Sequence, residues 1–236
     1  MKKILKLSLV VCLFVCLNIN TSAQTNSFRF GVKAGLNLST ASVSDASESK
    51  YKLGYQFGTT VEYSLSKNFL IQSGLFFSAE GSKIEDMNMS NYQGLSRGFT
   101  NTVFNQLYLE LPLYGTYKMN ISDNLNIAFG IGPYFGYGIG GKSKLKLNNG
   151  YVKIEIEWDT FGDEFFNYYY DGIRNVRLGE SLNRSDFGVG FKVDVGYYNY
   201  VLGIGLTSGI IDIAKKQQGY SEYKNKNINI SIGYKF

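Results

Sequence analysis

Residues 28–39, FRFGVKAGLNLS, alternate between two kinds of side chain with a period of two. The even-numbered positions carry Phe, Val, Ala and Leu, whereas the odd-numbered positions carry Arg, Gly, Lys, Asn and Ser. Successive side chains of a β-strand point to opposite faces, so the pattern predicts a strand with one apolar and one polar face. Whether the apolar face meets a protein core or lipid decides the fold.

The same alternation recurs along the chain, and short and long connections alternate between the segments that carry it. We predict eight strands, at residues 28–40, 53–65, 69–81, 105–118, 125–139, 186–198, 200–208 and 226–236. Long polar connections are expected at 41–52, 82–104, 141–185 and 209–225, and short ones at 66–68, 119–124 and 199. This order is typical of a transmembrane β-barrel, which has long external loops and tight periplasmic turns.

The composition of the second face indicates which way the apolar face points. It is dominated by Gly, Ser and Asn with scattered charges, and small residues suit the crowded lumen of an eight-stranded barrel. Aromatic residues near the strand ends suit the interfacial girdles of such barrels. We therefore predict an all-β fold, an eight-stranded antiparallel transmembrane β-barrel whose apolar face meets lipid. A soluble periplasmic ligand-binding barrel, with the apolar face inward, is a weaker alternative.

The N-terminus has the features of a cleaved signal peptide over residues 1–23. Lys2, Lys3 and Lys6 precede an apolar run, and the small residues of TSA precede Gln24. The mature domain is expected to span residues 24–236 in the cell outer membrane. Both cysteines leave with the signal, so a disulfide or a thiolate metal site is not expected. After removal of the three lysines, 21 basic and 19 acidic side chains remain, which does not indicate a nucleic-acid partner.

The last strand, NINISIGYKF, ends on an aromatic residue. It resembles the terminal signal that the barrel assembly machinery of outer membranes recognises. We accordingly expect outer-membrane lipid and, during insertion, that machinery as partners of a monomeric barrel.

Three segments resemble the PorT-like outer-membrane β-barrel family: FGVKAGLNLS at 30–39, YLELPLYGTYK at 108–118 and ISIGYKF at 230–236. The resemblance covers essentially the whole mature chain. It implies an eight-stranded barrel in the outer membrane of a diderm bacterium. The namesake of the family is associated with secretion of proteins to the cell surface.

The chain contains no histidine, which excludes His-dependent catalysis and His metal sites. The glycine-rich segment 130–141 has a period of two and no following helix, so it fits lumen-facing small residues better than a phosphate loop. We predict no enzymatic activity, no cofactor and no metal.

Charged side chains occur on the polar face of the predicted strands, where they would lie in the lumen. We expect a salt-bridged network that holds the barrel shut, because an unpaired buried charge is unfavourable. A polar path for ions or protons is the alternative. Pro112 lacks a ladder donor, so we also expect an irregularity or a bulge there. The candidate lumen residues are Arg29, Lys33, Glu62, Glu80, Glu110, Lys192, Asp194 and Lys235.

The long connection at 141–185 contains YVKIEIEW, which alternates like a strand and predicts a projecting hairpin. A dense aromatic cluster follows it. Exposed aromatic residues mark recognition surfaces, but aromatics can equally pack a loop against itself. The candidate contact residues for a protein partner are Trp158, Phe161, Phe165, Phe166, Tyr168, Tyr169 and Tyr170.

These observations favour a non-enzymatic outer-membrane protein with a role in interaction, anchoring, or secretion and assembly at the cell surface. The alternative function is a small pore or a specific transporter.

Overall fold

The fold is known from a computed structural model. It describes residues 28–43, 49–86, 99–148, 153–162, 167–170, 174–177, 181–215 and 222–236. The predicted signal peptide, its cysteines and the expected start of the mature domain lie outside the described residues. Within these ranges, no helix has the length and apolar character needed to cross a membrane.

The described part of the chain contains thirteen strands. They are β1 (Phe28–Val43), β2 (Ser49–Lys50), β3 (Lys52–Ser64), β4 (Phe69–Asp86), β5 (Phe99–Asn120), β6 (Leu125–Gly140), β7 (Lys142–Asn148), β8 (Lys153–Asp159), β9 (Asn167–Tyr170), β10 (Arg174–Arg177), β11 (Ser185–Tyr197), β12 (Tyr200–Gly209) and β13 (Tyr223–Lys235). Each of the eight predicted strands is present.

Eight strands close into a barrel. Their order around the ring is β4, β3, β1, β13, β12, β11, β6 and β5, and pairing between β4 and β5 completes the circle. Every neighbouring pair is antiparallel. Closure leaves these strands without a free edge along the wall of the barrel, which is the condition for a sheet to cross a membrane. The predicted fold class is confirmed.

The apolar face of the strands points outward. In β1, Leu36 is 59% exposed, whereas its neighbour Asn37 on the other face is fully buried. The same contrast continues in β13, where Ile230 and Ile232 are exposed and Ser231 is buried. A surface so rich in exposed Leu, Ile and Phe is compatible with a lipid environment, because water would penalise it heavily.

Aromatic pairs ring the end of the barrel at which the short turns lie, at 65–68, 121–124 and 198–199. Ring centroids are 4.7 Å apart in Phe28–Tyr63, 5.0 Å in Phe69–Tyr117 and 5.3 Å in Tyr200–Tyr234. These pairs form the interfacial girdle expected from the sequence. We call this end the short-turn end and the opposite end the long-loop end.

At the long-loop end, strands replace much of what we predicted to be polar connections. β4 and β5 extend well beyond residues 81 and 105, and β5 pairs with β7, which pairs in turn with β8. At the long-loop end, the sheet of the barrel therefore continues into a hairpin, β7–β8, as the alternation in YVKIEIEW indicated. Strands β9 and β10 form a separate two-stranded sheet.

The expected irregularity at Pro112 takes a different form. The register between β5 and β6 shifts at Leu107/Tyr108, not at the proline. Opposite Pro112, the pairing of β4 with β5 is interrupted between Ser73 and Phe76 but resumes in the same register. The hydroxyl of Ser73 donates to the carbonyl oxygen of Pro112 at 2.7 Å. Pro112 has no N–H, and a few residue pairs between β4 and β5 are missing beside it. The register of the two strands is the same on both sides of this gap.

A charged substitution on the outward face should test the lipid-facing assignment. Ile204 is exposed near the centre of β12, and Ile204→Lys should lower the free energy of unfolding by about 2–4 kcal/mol if it faces the bilayer core. Ile121 is equally exposed but lies in a short turn. Ile121→Lys should cost about 0–1 kcal/mol. Urea titration in phospholipid vesicles measures both, and equal costs would contradict the assignment.

Candidate functional site

Two lysines share one carboxylate in the lumen near the short-turn end. Lys33 Nζ lies 2.8 Å from Asp194 Oδ1, and Lys192 Nζ lies 2.9 Å from Asp194 Oδ2. Lys33 belongs to β1 and Asp194 to β11, and β13 and β12 stand between these strands in the ring. The ion pair therefore spans part of the lumen and ties together strands that do not pair with each other.

Small residues make room for this crossing. A Cβ atom added to Gly203 would come within 2.7 Å of Lys33 Nζ and even closer to Asp194 Oδ1. At Gly233, an added Cβ would meet Lys33 Cγ at 3.4 Å. The lumen-facing glycines that the sequence places at alternate positions thus form the floor over which the Lys33 side chain reaches Asp194.

A second ion pair lies at the mouth of the short-turn end. Lys235 Nζ lies 2.5 Å from Glu62 Oε1, and Glu62 also accepts a hydrogen bond from Gln72. Arg29 faces Glu62 across the β1–β3 register and is exposed at the mouth. Lys118 lies within electrostatic range of Arg29, Glu62 and Lys235. This end of the lumen is consequently rich in cations.

The remaining two residues of the predicted network, Glu80 and Glu110, lie further toward the long-loop end. Glu80 Oε1 accepts hydrogen bonds from Ser78 at 3.0 Å and from Asn227 at 2.7 Å. Glu110 lies within electrostatic range of Glu80 and Asp186. The structure therefore divides the predicted network into a lysine-rich part and an acidic part.

Asp186 joins the acidic part and was absent from the predicted set. Its Oδ2 atom accepts hydrogen bonds from Asn225 at 2.9 Å and from the hydroxyl of Tyr134 at 3.2 Å. Asp186 shares the lumen phase of β11 with Lys192 and Asp194, so the alternation alone could have identified it. Lys118 could have been found in the same way on β5.

A cavity lies between these two parts. Its volume is about 70 Å³, which is room for a few water molecules. Lys33, Lys192 and Lys235 line it on the side of the short turns, and Glu110 and Tyr134 line it on the other side. Lys192 Nζ also lies 5.3 Å from the centroid of the Tyr114 ring, which forms part of the wall.

An apolar cluster, which we call the cap, fills the long-loop end above the acidic part. Its buried members are Ala41, Phe104, Tyr108, Leu145, Trp158, Phe161, Leu182, Ile213, Ala214 and Tyr223. The rings of Phe104 and Tyr223 are 5.2 Å apart. They belong to β5 and β13, which stand diametrically opposite each other in the ring of eight strands. The cap therefore spans the barrel from wall to wall.

Hydrogen bonds between buried side chains of β4, β5 and β13 stabilise the cap on its lumen side. The Tyr223 hydroxyl is 2.7 Å from Ser82 Oγ and accepts a hydrogen bond from Gln106 Nε2 at 2.9 Å. Asn225 Nδ2, also on β13, donates to the Tyr108 hydroxyl on β5 at 3.3 Å. Each of these side chains is buried, where hydrogen bonds between specific partners favour a single packing arrangement.

Two of the candidate contact aromatics belong to the cap and are not exposed. Trp158 is 2% exposed and Phe161 is 4% exposed. The Phe161 ring lies 5.4 Å from that of Tyr108, and the Arg184 guanidinium lies 5.8 Å from its centroid. Gly138 leaves the space for this ring, since an added Cβ would approach it within 2.5 Å. For these two residues, packing of the loop is the correct alternative.

The remaining candidate aromatics follow Phe161 in the chain. Phe165 and Phe166 lie outside the described residues. Tyr168, Tyr169 and Tyr170 belong to β9, which is described by its backbone pairing with β10. Their role as contacts for a partner stays a prediction.

The outward face of the β7–β8 hairpin carries paired charges. Glu157 lies 3.0 Å from Lys142 and 2.8 Å from Lys144, and Glu155 lies 3.2 Å from Lys146. The hydrogen bond with Lys144 lowers the pKa of Glu157 and raises the pKa of Lys144. Exposed pairs of this kind add little stability. Their effect is a fixed pattern of charge on the surface of the hairpin.

The acidic side chains of the lumen were also compared with the arrangement that a metal ion requires. Across the described ranges, the acidic side chains form no group of three or more that could hold a metal ion. Lysines, a tyrosine and amides are bonded to the carboxyl groups of Asp194, Asp186, Glu80 and Glu62.

Comparison with known proteins bears on the class of this barrel. The sequence profile described as "Outer membrane protein beta-barrel domain" matches residues 22–215. An uncharacterized protein of Pasteurella multocida (strain Pm70) is 31% identical over 132 residues, which are 55% of this chain and 51% of that protein. The chain thus spans about half the length of this curated relative.

Three solved outer-membrane structures are similar to the chain. Neisserial surface protein A is 12% identical, with 88% of this chain and 97% of that one covered and a TM-score of 0.40. OprG of Pseudomonas aeruginosa is 12% identical, with 89% and 96% covered and a TM-score of 0.44. Ail of Yersinia pestis, an attachment invasion locus protein, is 11% identical, with 89% and 99% covered and a TM-score of 0.36.

The glycine floor of the lumen can be tested with one added methyl group. Gly203→Ala should displace the Lys33–Asp194 ion pair and lower the free energy of unfolding by about 1–3 kcal/mol. Gly115→Ala is the matched control, because its Cβ would meet only the carbonyl oxygen of Ile131 at 3.8 Å. It should change stability by no more than about 0.5 kcal/mol. Urea unfolding in vesicles measures both variants, and equal stabilities would refute a role for the floor.

Proposed function

The chain belongs to the outer membrane protein β-barrel family, and we propose that it serves there as a closed, non-enzymatic, monomeric barrel that presents a rigid surface to a protein partner. Its location in the outer membrane follows from the family and agrees with the outward apolar face. The soluble periplasmic alternative is therefore wrong. The role as an interaction component is our proposal.

The observation that carries the proposal is the cap. It joins β5 to the diametrically opposite β13 through the Phe104–Tyr223 contact and the hydrogen bonds of Tyr223. A barrel of eight strands has an interior just wide enough for side chains. A lumen filled in this way favours a structural or recognition role over conduction.

The cap also gives the external structure its rigidity. Leu145 and Trp158, on the inward faces of β7 and β8, are buried in the cap, while Lys144, Lys146 and Glu157 of the same strands point outward. The hairpin is thereby held at one orientation relative to the barrel. A preorganised surface loses little conformational entropy when a partner binds, which favours recognition.

The PorT-like resemblance supports one class of protein partner for the barrel. Residues 30–39, 108–118 and 230–236 all lie in strands of the barrel, so the resemblance concerns the scaffold. It supports a partner within a secretion or assembly system of the outer membrane. The lack of histidine in the chain supports a function without enzymatic chemistry.

Site-specific photo-crosslinking in intact cells tests the proposed surface. A photoreactive residue at Lys146, which is exposed on the hairpin, should yield one discrete protein adduct. The same residue at Leu202, which is exposed on the lipid-facing side of β12, should yield none.

If both positions give the same adducts, or if neither gives any, the hairpin is not a contact surface and the proposal fails in this form.

A small pore is the second candidate, and the polar cavity beside Lys33 and Lys192 is the observation that favours it. Planar-bilayer recording separates the two candidates. A barrel closed by the cap should give no discrete conductance steps above baseline, in contrast to a general porin measured in parallel. Reproducible steps from purified, correctly folded protein would establish the pore and refute the closed barrel.

A further inference from the structure

The lysine-rich part of the lumen holds more positive charge than its carboxylates neutralise. The cations at this end are Arg29, Lys33, Lys118, Lys192 and Lys235, and the carboxylates among them are Glu62 and Asp194. Asp194 forms ion pairs with two lysines, one through each of its carboxylate oxygen atoms. Glu62 forms an ion pair with Lys235 and accepts a hydrogen bond from Gln72. About three positive charges are therefore in excess.

Three of these cations are largely withdrawn from water, whereas Arg29 is exposed at the mouth and Lys118 is part-buried. The side chains of Lys33, Lys192 and Lys235 are 12%, 14% and 16% exposed. These three lysines share two carboxylates, Asp194 and Glu62, so one desolvated positive charge among them is not neutralised, which is unfavourable. Glu110 lines the same cavity from the far side, but none of the ion pairs among the described residues includes it. An anion from outside the chain is the remaining source.

The cavity offers the space for such an anion. It is lined by the three lysines, by the carboxylates Glu62, Asp194 and Glu110, and by Asn229 and Thr60, which add neutral donors. Its volume of about 70 Å³ accommodates about five heavy atoms if each takes the space of one water-sized probe. An ammonium group has three N–H donors, and each ion pair uses one of them.

We propose that the lysine-rich end of the lumen binds a small multivalent oxyanion of the phosphate class. Its several oxygen atoms can accept hydrogen bonds from separate lysines at once, and its charge of about −2 approaches the excess positive charge. A monovalent halide offers neither property.

The two ends of the lumen determine where the anion enters and where it stops. Arg29 is exposed at the mouth of the short-turn end, which is the periplasmic end in a barrel with this arrangement of loops. Glu110 lies in the far wall of the cavity, Glu80 and Asp186 follow beyond it, and the cap closes the opposite end. The anion therefore enters from the periplasm, binds beside the lysines and does not pass through.

Titration with inorganic phosphate tests this site in protein folded in a non-ionic, phosphate-free detergent. Calorimetry should show saturable binding of one phosphate per barrel. Lys192→Met should weaken it by at least about tenfold, a loss of about 1.4 kcal/mol. This variant removes one excess charge but leaves Asp194 paired with Lys33, so the barrel should still fold. Lys192→Arg should retain binding because it keeps the charge.

Lys146→Met is the matched control, because Lys146 lies on the outer hairpin, far from the lumen in the fold. It should bind phosphate like the unaltered protein. Heat-dependent mobility on gels checks that each variant is folded, and Lys118→Met provides a second test if Lys192→Met is not. Absence of saturable binding in the unaltered protein, or equal weakening by Lys146→Met, would overturn the proposal. Neither result depends on conductance or on crosslinking at the hairpin.

Discussion

Closure of the backbone hydrogen bonds between β4 and β5 is the interaction on which the rest of the structure depends. In the hydrocarbon core of a membrane no water can satisfy a free N–H or C=O group, and each one left unpaired costs several kcal/mol. The β4–β5 ladder removes the last two edges of the sheet along the wall of the barrel. With eight strands, the same closure makes the lumen narrow. Small side chains such as Gly203 and Gly233 are then needed wherever a long side chain crosses it.

The narrow lumen brings together side chains from strands that are distant in the ring. Lys33 reaches Asp194 over two intervening strands, and Tyr223 reaches Ser82 and Gln106 on the far wall. Charge is distributed unevenly along the axis, with lysines near the short turns and carboxyl groups beneath the cap. This separation underlies both proposals: the cap and its hydrogen bonds close the long-loop end, and the excess of lysines makes the other end attractive to anions.

Aromatic residues serve two different purposes in this chain. Phe28, Tyr63 and Tyr234 lie at the short-turn girdle and are exposed, as their positions at strand ends predict. Trp158 and Phe161 fill the cap instead, although they occur in a charged loop segment whose composition is typical of a recognition surface. Local composition does not distinguish these uses, because burial of Trp158 depends on Phe104 and Tyr223, which are distant in sequence.

The sequence by itself determined the barrel, since a period of two with Leu36 and Ile230 on one face and Asn37 and Ser231 on the other is compatible with lipid outside and a polar lumen. It also predicted the inward phase of each strand, which is a local property, although the predicted lumen set left out Asp186 and Lys118. Only the tertiary structure decided which of these residues meet. The division into a lysine-rich and an acidic part, the inclusion of Asp186, and the cap arise from contacts between strands far apart in the ring. Those distances follow from barrel closure and register, which no single strand encodes.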